Sequence, residues 1–208
     1  MKFQTNPTAD WLLHVGINTE VGITCRLKCP GCARSANPKH VLANRSIFRF
    51  DEYKPILDVT NRYKFCGNHS DPIYHPDFVK TFKYLNDQNK KLIVSTNGSG
   101  KTKEWWENVF GLSKSTTKFE FALDGIPEDS HIYRINQDGS HVWEIMKLGR
   151  SMGVKIIWQY IVFDYNKNDV EFCRDMANYY GMKFIEEQDR HAGKESPHEN
   201  WTQMFIYT

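Results

Sequence analysis

The chain has 208 residues, 25% of them charged, with a formal net charge of +2. This length suits one domain with a sizeable core, and the near-neutral charge gives no electrostatic case for a nucleic-acid partner. The first ten residues are polar and no apolar run approaches the roughly 20 residues of a membrane helix, so no signal peptide and no membrane span are expected, and the location is read as cytoplasmic.

Strand-like and helix-like segments alternate without repeats, which predicts an α/β fold with a parallel sheet. A first strand is expected over 14–21, delivering a cysteine-rich run at its carboxyl end, followed by a polar loop over 33–47 that holds Pro38. A helix is predicted over 51–63, with Tyr53, Ile56 and Leu57 at helical spacing and Pro55 tolerated only near the first turn. A short strand over 63–66 leads to a helix opened by His75-Pro76-Asp77, where Pro76 suits the first helical position and Phe78, Phe82 and Leu85 mark the buried face. Strands follow at 92–95, ending in Thr96-Asn97-Gly98, and at 119–123, ending in Asp124-Gly125. Ser140 is the expected cap of a helix carrying Val142, Ile145, Met146 and Leu148, and Gly153 precedes a strand over 154–162. Asn168 and Glu171 read as a capping box for a helix to about Tyr180, closed by Gly181, and a sixth strand is placed at 182–185. Six units are too few for a closed eight-unit barrel. In parallel α/β architectures the carboxyl ends of the strands face one ligand site, so the polar strand tails and the cysteine run should share a cavity.

Three of the five cysteines, Cys25, Cys29 and Cys32, lie in one short run. An odd count with such clustering argues against a disulfide framework and for metal binding in a reducing compartment. Thiolate is a soft ligand suited to iron–sulfur clusters and zinc. Three thiolates on a four-iron cluster leave one iron without a protein ligand, whereas a zinc knuckle, completed by Cys66, is the competing reading of the same spacing.

The run resembles the Cys-x3-Cys-x2-Cys signature of the radical SAM superfamily, and the likeness spans about Glu20 to Glu186. It implies a partial, open (β/α)6 TIM-type barrel in a single domain over 1–186, with a short amino-terminal extension and a tail over 187–208. It further implies a [4Fe–4S] cluster on Cys25, Cys29 and Cys32, with S-adenosylmethionine (SAM) chelating the remaining iron. Reductive cleavage of SAM would then give methionine and a 5′-deoxyadenosyl radical that abstracts hydrogen from a substrate. Cys66 to Asp77 is similar to the family's Gly-Gly-Glu-Pro stretch, so Asp71 stands for the acidic group that receives the SAM ammonium, helped by the backbone at His69 and Ser70. Thr96 and Asn97 resemble the third-strand terminus. Ala122 through Arg134 resembles the fourth-strand stretch of peptide-modifying members, with Asp124 at its start and Arg134 available to the SAM carboxylate. Gln159 is expected toward the ribose and Val162 beneath the adenine. Two positions depart from the pattern: Ala122 stands where serine is common, and Gly31 stands where an aromatic residue commonly meets the adenine.

Outside these segments the sequence carries less. Cys173 lies at helical spacing with Val170 and Ala177 and reads as a buried core thiol, while Cys66 is a candidate hydrogen-atom donor or a packing residue. His75 reads as a helix-start residue, and Trp105 and Trp106 pack on a helix. The polar stretch 187–200, with His191 and His198, reads as a solvated loop at the active-site end, and the tail is expected to shape substrate access. No cysteine follows Glu186, so one cluster is expected and no auxiliary cluster domain. The implied partners are an electron donor such as flavodoxin or ferredoxin and a peptide, protein or small-molecule substrate. Two other functions compete: a glycyl-radical-enzyme activase, which Cys29-Pro30-Gly31-Cys32 also resembles, and a noncatalytic zinc or iron–sulfur binding module.

Overall fold

The computed structural model describes residues 24–36, 39, 47–67 and 69–188, together with the backbone of 16–19. Six strands form one parallel sheet in sequential order: β1 Gly16–Thr19, β2 Arg62–Phe65, β3 Lys91–Thr96, β4 Thr117–Ala122, β5 Lys155–Val162 and β6 Lys183–Gln188. The helices are α1 Ala33–Ala36, α2 Phe50–Val59, α3 Phe78–Asp87, α4 Lys103–Leu112, α5 Gly139–Ser151 and α6 Val170–Tyr179. Right-handed crossovers between sequential parallel strands put the crossover helices on one face of the sheet. The other face is the inside of an open (β/α)6 barrel, whose expected tail over 187–208 lies outside the described residues from 189 onward.

Side-chain alternation separates the two faces. Tyr63 and Phe65 of β2, and Phe119 and Phe121 of β4, meet Phe78 and Phe82 of α3 and Trp106 and Phe110 of α4 in an aromatic layer with ring centroids 4.7–6.4 Å apart. Trp158 of β5 packs on Trp143 of α5 and Phe184 of β6. The core therefore lies between sheet and helices. On the opposite pleat Lys64 of β2 reaches across β3 to Glu120 of β4, Nζ to Oε2 at 2.6 Å, and Gln159 of β5 donates to Glu187 of β6 at 2.8 Å. The barrel interior is thus polar and partly charged where the outer face is aromatic.

Several boundaries differ from the sequence reading because long-range contacts decide them. The loop expected over 33–47 begins with α1, whose first turn is closed by Ser35 and Ala36 N–H groups donating to the Cys32 carbonyl. Pro76 is not in a helix: α3 starts after Asp77, whose carboxylate accepts from Arg49 Nε at 2.7 Å and from the Phe50 N–H at 3.0 Å, tying the starts of α2 and α3 together. Asp138, not Ser140, caps α5 by accepting from the His141 N–H at 2.9 Å. The Asn168 capping box is not formed, since α6 follows Asp169 with no side-chain cap. β6 continues through Glu187 and Gln188, which the sequence reading placed in a solvated loop, because its edge is paired with β5 as far as Val162. His191 and His198 lie outside the described residues.

His75 links these elements: its Nε2 donates to the Phe48 carbonyl at 2.8 Å while Nδ1 accepts from the Asp77 N–H at 3.1 Å, a neutral-ring arrangement. Burial lowers its pKa from the ordinary 6.5. The unfolded chain then binds the proton more readily than the folded one, so stability is present above about pH 6.5 and declines as pH falls through that value toward the lowered folded pKa. Denaturant unfolding followed across this range is expected to show that slope, and His75→Gln is expected to flatten it; an unchanged slope in the variant would place the titration elsewhere.

Candidate functional site

The cysteine loop lies across the carboxyl ends of the strands and is held there mainly by backbone bonds. The Asp71 N–H donates to the Thr24 carbonyl at 2.9 Å and the Lys28 N–H to the Ile135 carbonyl at 3.1 Å, while Asn136 Nδ2 reaches the Arg26 carbonyl at 3.4 Å. Leu27 is buried beneath the loop, and the Arg34 guanidinium folds back onto its carbonyl. Cys25, Cys29 and Cys32 form no disulfide and are half-buried. Burial raises the Cys25 pKa and pushes Cys29 to about 11, with the Arg134 charge opposing the shift at Cys29. Cys32 pushes both thiols further up, and Cys25 does the same to Cys29.

Three thiols on one loop offer soft ligands to an iron–sulfur cluster or to a zinc ion. Among the described residues no three or more His, Cys, Asp or Glu side chains are already drawn together around one point, which bears equally on a zinc ion and on a cluster. Arg34 Nε and Ser35 Oγ, close in sequence to Cys32, are buried without a hydrogen-bond partner among the described residues. Three soft thiolates on one loop remain available to a [4Fe–4S] cluster.

Asp71 is the centre of the wall beside this loop. Its carboxylate is 4% exposed and accepts from the Ile73 N–H at 3.2 Å, the Thr96 hydroxyl at 2.8 Å and the Asn97 N–H at 2.7 Å. Burial pushes its pKa up, opposed by those hydrogen bonds. These bonds clamp the loop after β2 to the end of β3. Gly67 permits the fold-back on the β2 side, since a Cβ there would stand 1.9 Å from the Ser70 carbonyl oxygen. Asn97 continues the wall toward the cysteines, with Nδ2 at 3.4 Å from Cys25 Sγ, and Gly98 follows with φ +74°, a turn that favours glycine.

A second buried pair braces the other side. Asp124 is fully buried, accepts from the Ile161 N–H at 2.8 Å, and forms an ion pair with Arg134 Nε at 2.7 Å. The close approach is off the line of a good hydrogen bond. Burial pushes the Asp124 pKa up and the Arg134 charge pulls it down. Arg134, expected at the SAM carboxylate, is thus partnered by Asp124 and lies near enough to Cys29 to act on its thiol.

The remaining expected residues divide. Ser70 is buried and His69 half-buried in the loop after β2. Gln159 lies on the barrel interior with Glu187 as partner. Val162 is three residues further along β5, on the opposite pleat, and packs against the core, which turns it from the interior where an adenine was expected. Cys66 is half-buried just past β2, on the pleat of Lys64. Cys173 is a core thiol with its pKa raised by burial to about 12, and Trp106 is fully buried on α4.

Two features had no readable sequence signal. Gln137 Nε2 donates to the Asn97 carbonyl at 2.8 Å and the Ala122 carbonyl at 3.0 Å, clasping the ends of β3 and β4 from a polar turn. The Lys64–Glu120 pair depends on strand register. A cavity of about 790 Å³ lined by Lys103, Glu144, Lys147 and Tyr180 opens on the helix layer, across the sheet from the barrel interior, and adds nothing to this site.

Sheet order, barrel interior and cysteine loop together define the class: an open parallel barrel that presents three thiols at the carboxyl ends of its strands. The same fold is found in solved structures, among them SuiB and anSMEcpe with bound S-adenosylmethionine. SuiB of Streptococcus suis bound to its precursor peptide SuiA superposes with a TM-score of 0.70 at 15% identity, over 85% of this chain and 39% of that one. The protein anSMEcpe with bound AdoMet and Cp18Cys peptide gives 0.58 at 18% identity, over 82% of this chain and 50% of that one. TYW1 with a lysine-pyruvate adduct gives 0.55 at 13% identity, over 92% and 72%. At these identities the likeness is one of fold, and the chain spans about two fifths of the length of SuiB. No protein-family model matches the chain, and no curated protein does.

Among the described residues no helix is long and apolar enough to cross a membrane.

Proposed function

We propose that the chain is a radical SAM enzyme core, carrying a [4Fe–4S] cluster on Cys25, Cys29 and Cys32. The observation that carries this reading is the pinning of the cysteine loop over the strand ends by Asp71, Asn97 and the 134–136 segment, on a fold that SAM-bound proteins share. When bound, the cluster and SAM supply a 5′-deoxyadenosyl radical, and the chain supplies binding, orientation and electrostatics.

Each residue has a part in that reading. The three thiolates hold the cluster. Asp71 and Thr96 order the adjacent wall, and the ammonium of SAM is received by the backbone at His69 and Ser70, because the Asp71 carboxylate already accepts three protein donors. The Asp124–Arg134 pair keeps the 134–136 segment against the loop and gives Cys29 a nearby positive charge. Lys64, Glu120, Gln159 and Glu187 present polar groups to the substrate side of the barrel. Val162 is not assigned to the adenine.

A peptide or protein segment is the substrate class favoured here. SuiB is known with a bound precursor peptide and anSMEcpe with a bound peptide, and the polar interior has hydrogen-bonding groups for an extended chain. The electron comes from a reduced flavodoxin or ferredoxin, the location is cytoplasmic, and the tail over 189–208 shapes access to the barrel. Metal analysis after anaerobic reconstitution tests the class: iron and acid-labile sulfide in equal amounts, about four of each per chain as a [4Fe–4S] cluster requires, support it, whereas stoichiometric zinc without sulfide supports the binding-module reading.

A further inference from the structure

Asn97 is held in one orientation by four contacts. Its N–H donates to Asp71 Oδ2 at 2.7 Å, its carbonyl accepts from Gln137 Nε2 at 2.8 Å, and its side-chain Oδ1 accepts from the Ser99 N–H at 2.9 Å. Nδ2 therefore faces Cys25 Sγ, at 3.4 Å. Rotating the amide by half a turn would set its NH2 against the Ser99 N–H and its oxygen against the sulfur, so the network fixes the assignment of oxygen and nitrogen. The side chain is 7% exposed, which keeps water from competing strongly for the sulfur.

The sequence likeness placed Asn97 among SAM-contacting residues; the geometry points elsewhere. We propose that Asn97 is a positioning residue that tunes the cluster, its Nδ2–H donating to the Cys25 thiolate and raising the reduction potential of the [4Fe–4S] centre. This rests on the reading of Cys25 as a cluster ligand. Reduction adds negative charge that is shared with the ligating sulfurs, and a hydrogen bond to a sulfur stabilises the more negative state. Through its backbone bonds to Asp71 and Gln137, Asn97 couples this sulfur to the ends of β2, β3 and β4.

The test is a dye-mediated redox titration of the anaerobically reconstituted protein without SAM, followed by electron paramagnetic resonance of the reduced cluster. Asn97→Leu keeps the side-chain size and the backbone bonds but removes the donor. At the wild-type midpoint its reduced-to-oxidised ratio is expected to fall about tenfold, equivalent to about 59 mV for a one-electron couple. Asn97→Asp retains an acceptor for the Ser99 N–H and replaces the donor with a negative oxygen, so it is expected to shift further in the same direction. Iron and sulfide content is measured for every sample. If Asn97→Leu does not load, the loaded Asn97→Asp variant decides the matter. A loaded variant titrating at the wild-type potential overturns the proposal while leaving the cluster assignment intact. A wild-type protein that takes up zinc and no sulfide overturns both.

Discussion

Replacing Cys25, Cys29 and Cys32 together with alanine is expected to reduce iron and sulfide in the anaerobically reconstituted protein to background and to remove the visible thiolate-to-iron absorption. No other thiols can take their place. Cys173 sits in the helix layer, fully buried, with its pKa pushed up to about 12, and Cys66 alone lies at the end of β2. A thiolate, not a thiol, is the metal ligand, so a thiol held protonated in an apolar core is inert. The fold should survive, because the loop is fastened by backbone bonds at Thr24, Lys28 and Arg26 rather than by the cysteine side chains. Unchanged far-ultraviolet circular dichroism checks that point, and retention of a full cluster in the triple variant would contradict the ligand assignment.

Asp71→Ala is expected to destabilise the protein by about 3–9 kcal/mol, since it strips the partner from three buried donors and each unmatched donor costs about 1–3 kcal/mol. That is a large part of the roughly 5–15 kcal/mol that holds a typical domain folded. The loss falls on the clamp between the loop after β2 and the end of β3, so SAM affinity should fall with it. Asp71→Asn preserves the shape and one acceptor oxygen and should cost less. Denaturant midpoints and calorimetric titration with SAM check both effects; an alanine variant as stable as the parent would show that the donors find other partners.

The aromatic and β-branched runs made the sheet legible before any coordinates. Tyr63, Phe65, Phe119, Phe121 and Trp158 alternate with polar residues, and the spacing of Phe78, Phe82 and Leu85 marks one helix face, so the strand count and the parallel class followed from local periodicity. What local pattern does not contain is partner choice. Asp77 is drawn away to Arg49 and the Phe50 N–H, and Asp138 takes the cap that Ser140 was expected to supply. The same limit governs the site. The cysteine spacing is a local property and was readable, whereas the place given to Asp71 came from the family resemblance of the stretch after β2. The inward pair Lys64–Glu120 and the clasp made by Gln137 arise from strand register and loop docking, which no run of adjacent residues encodes. Val162 was misplaced by pleat parity: counting three residues on from Gln159 crosses to the other face.

SAM cleavage is read out by chromatography of the products formed when the anaerobically reconstituted, chemically reduced protein is incubated with SAM. 5′-Deoxyadenosine and methionine are expected, formed slowly without substrate, absent from the triple cysteine variant, and increased by a peptide substrate. A protein with a full, reduced cluster that binds SAM but yields no 5′-deoxyadenosine with any reductant would contradict the proposed function and leave the chain as a binding module.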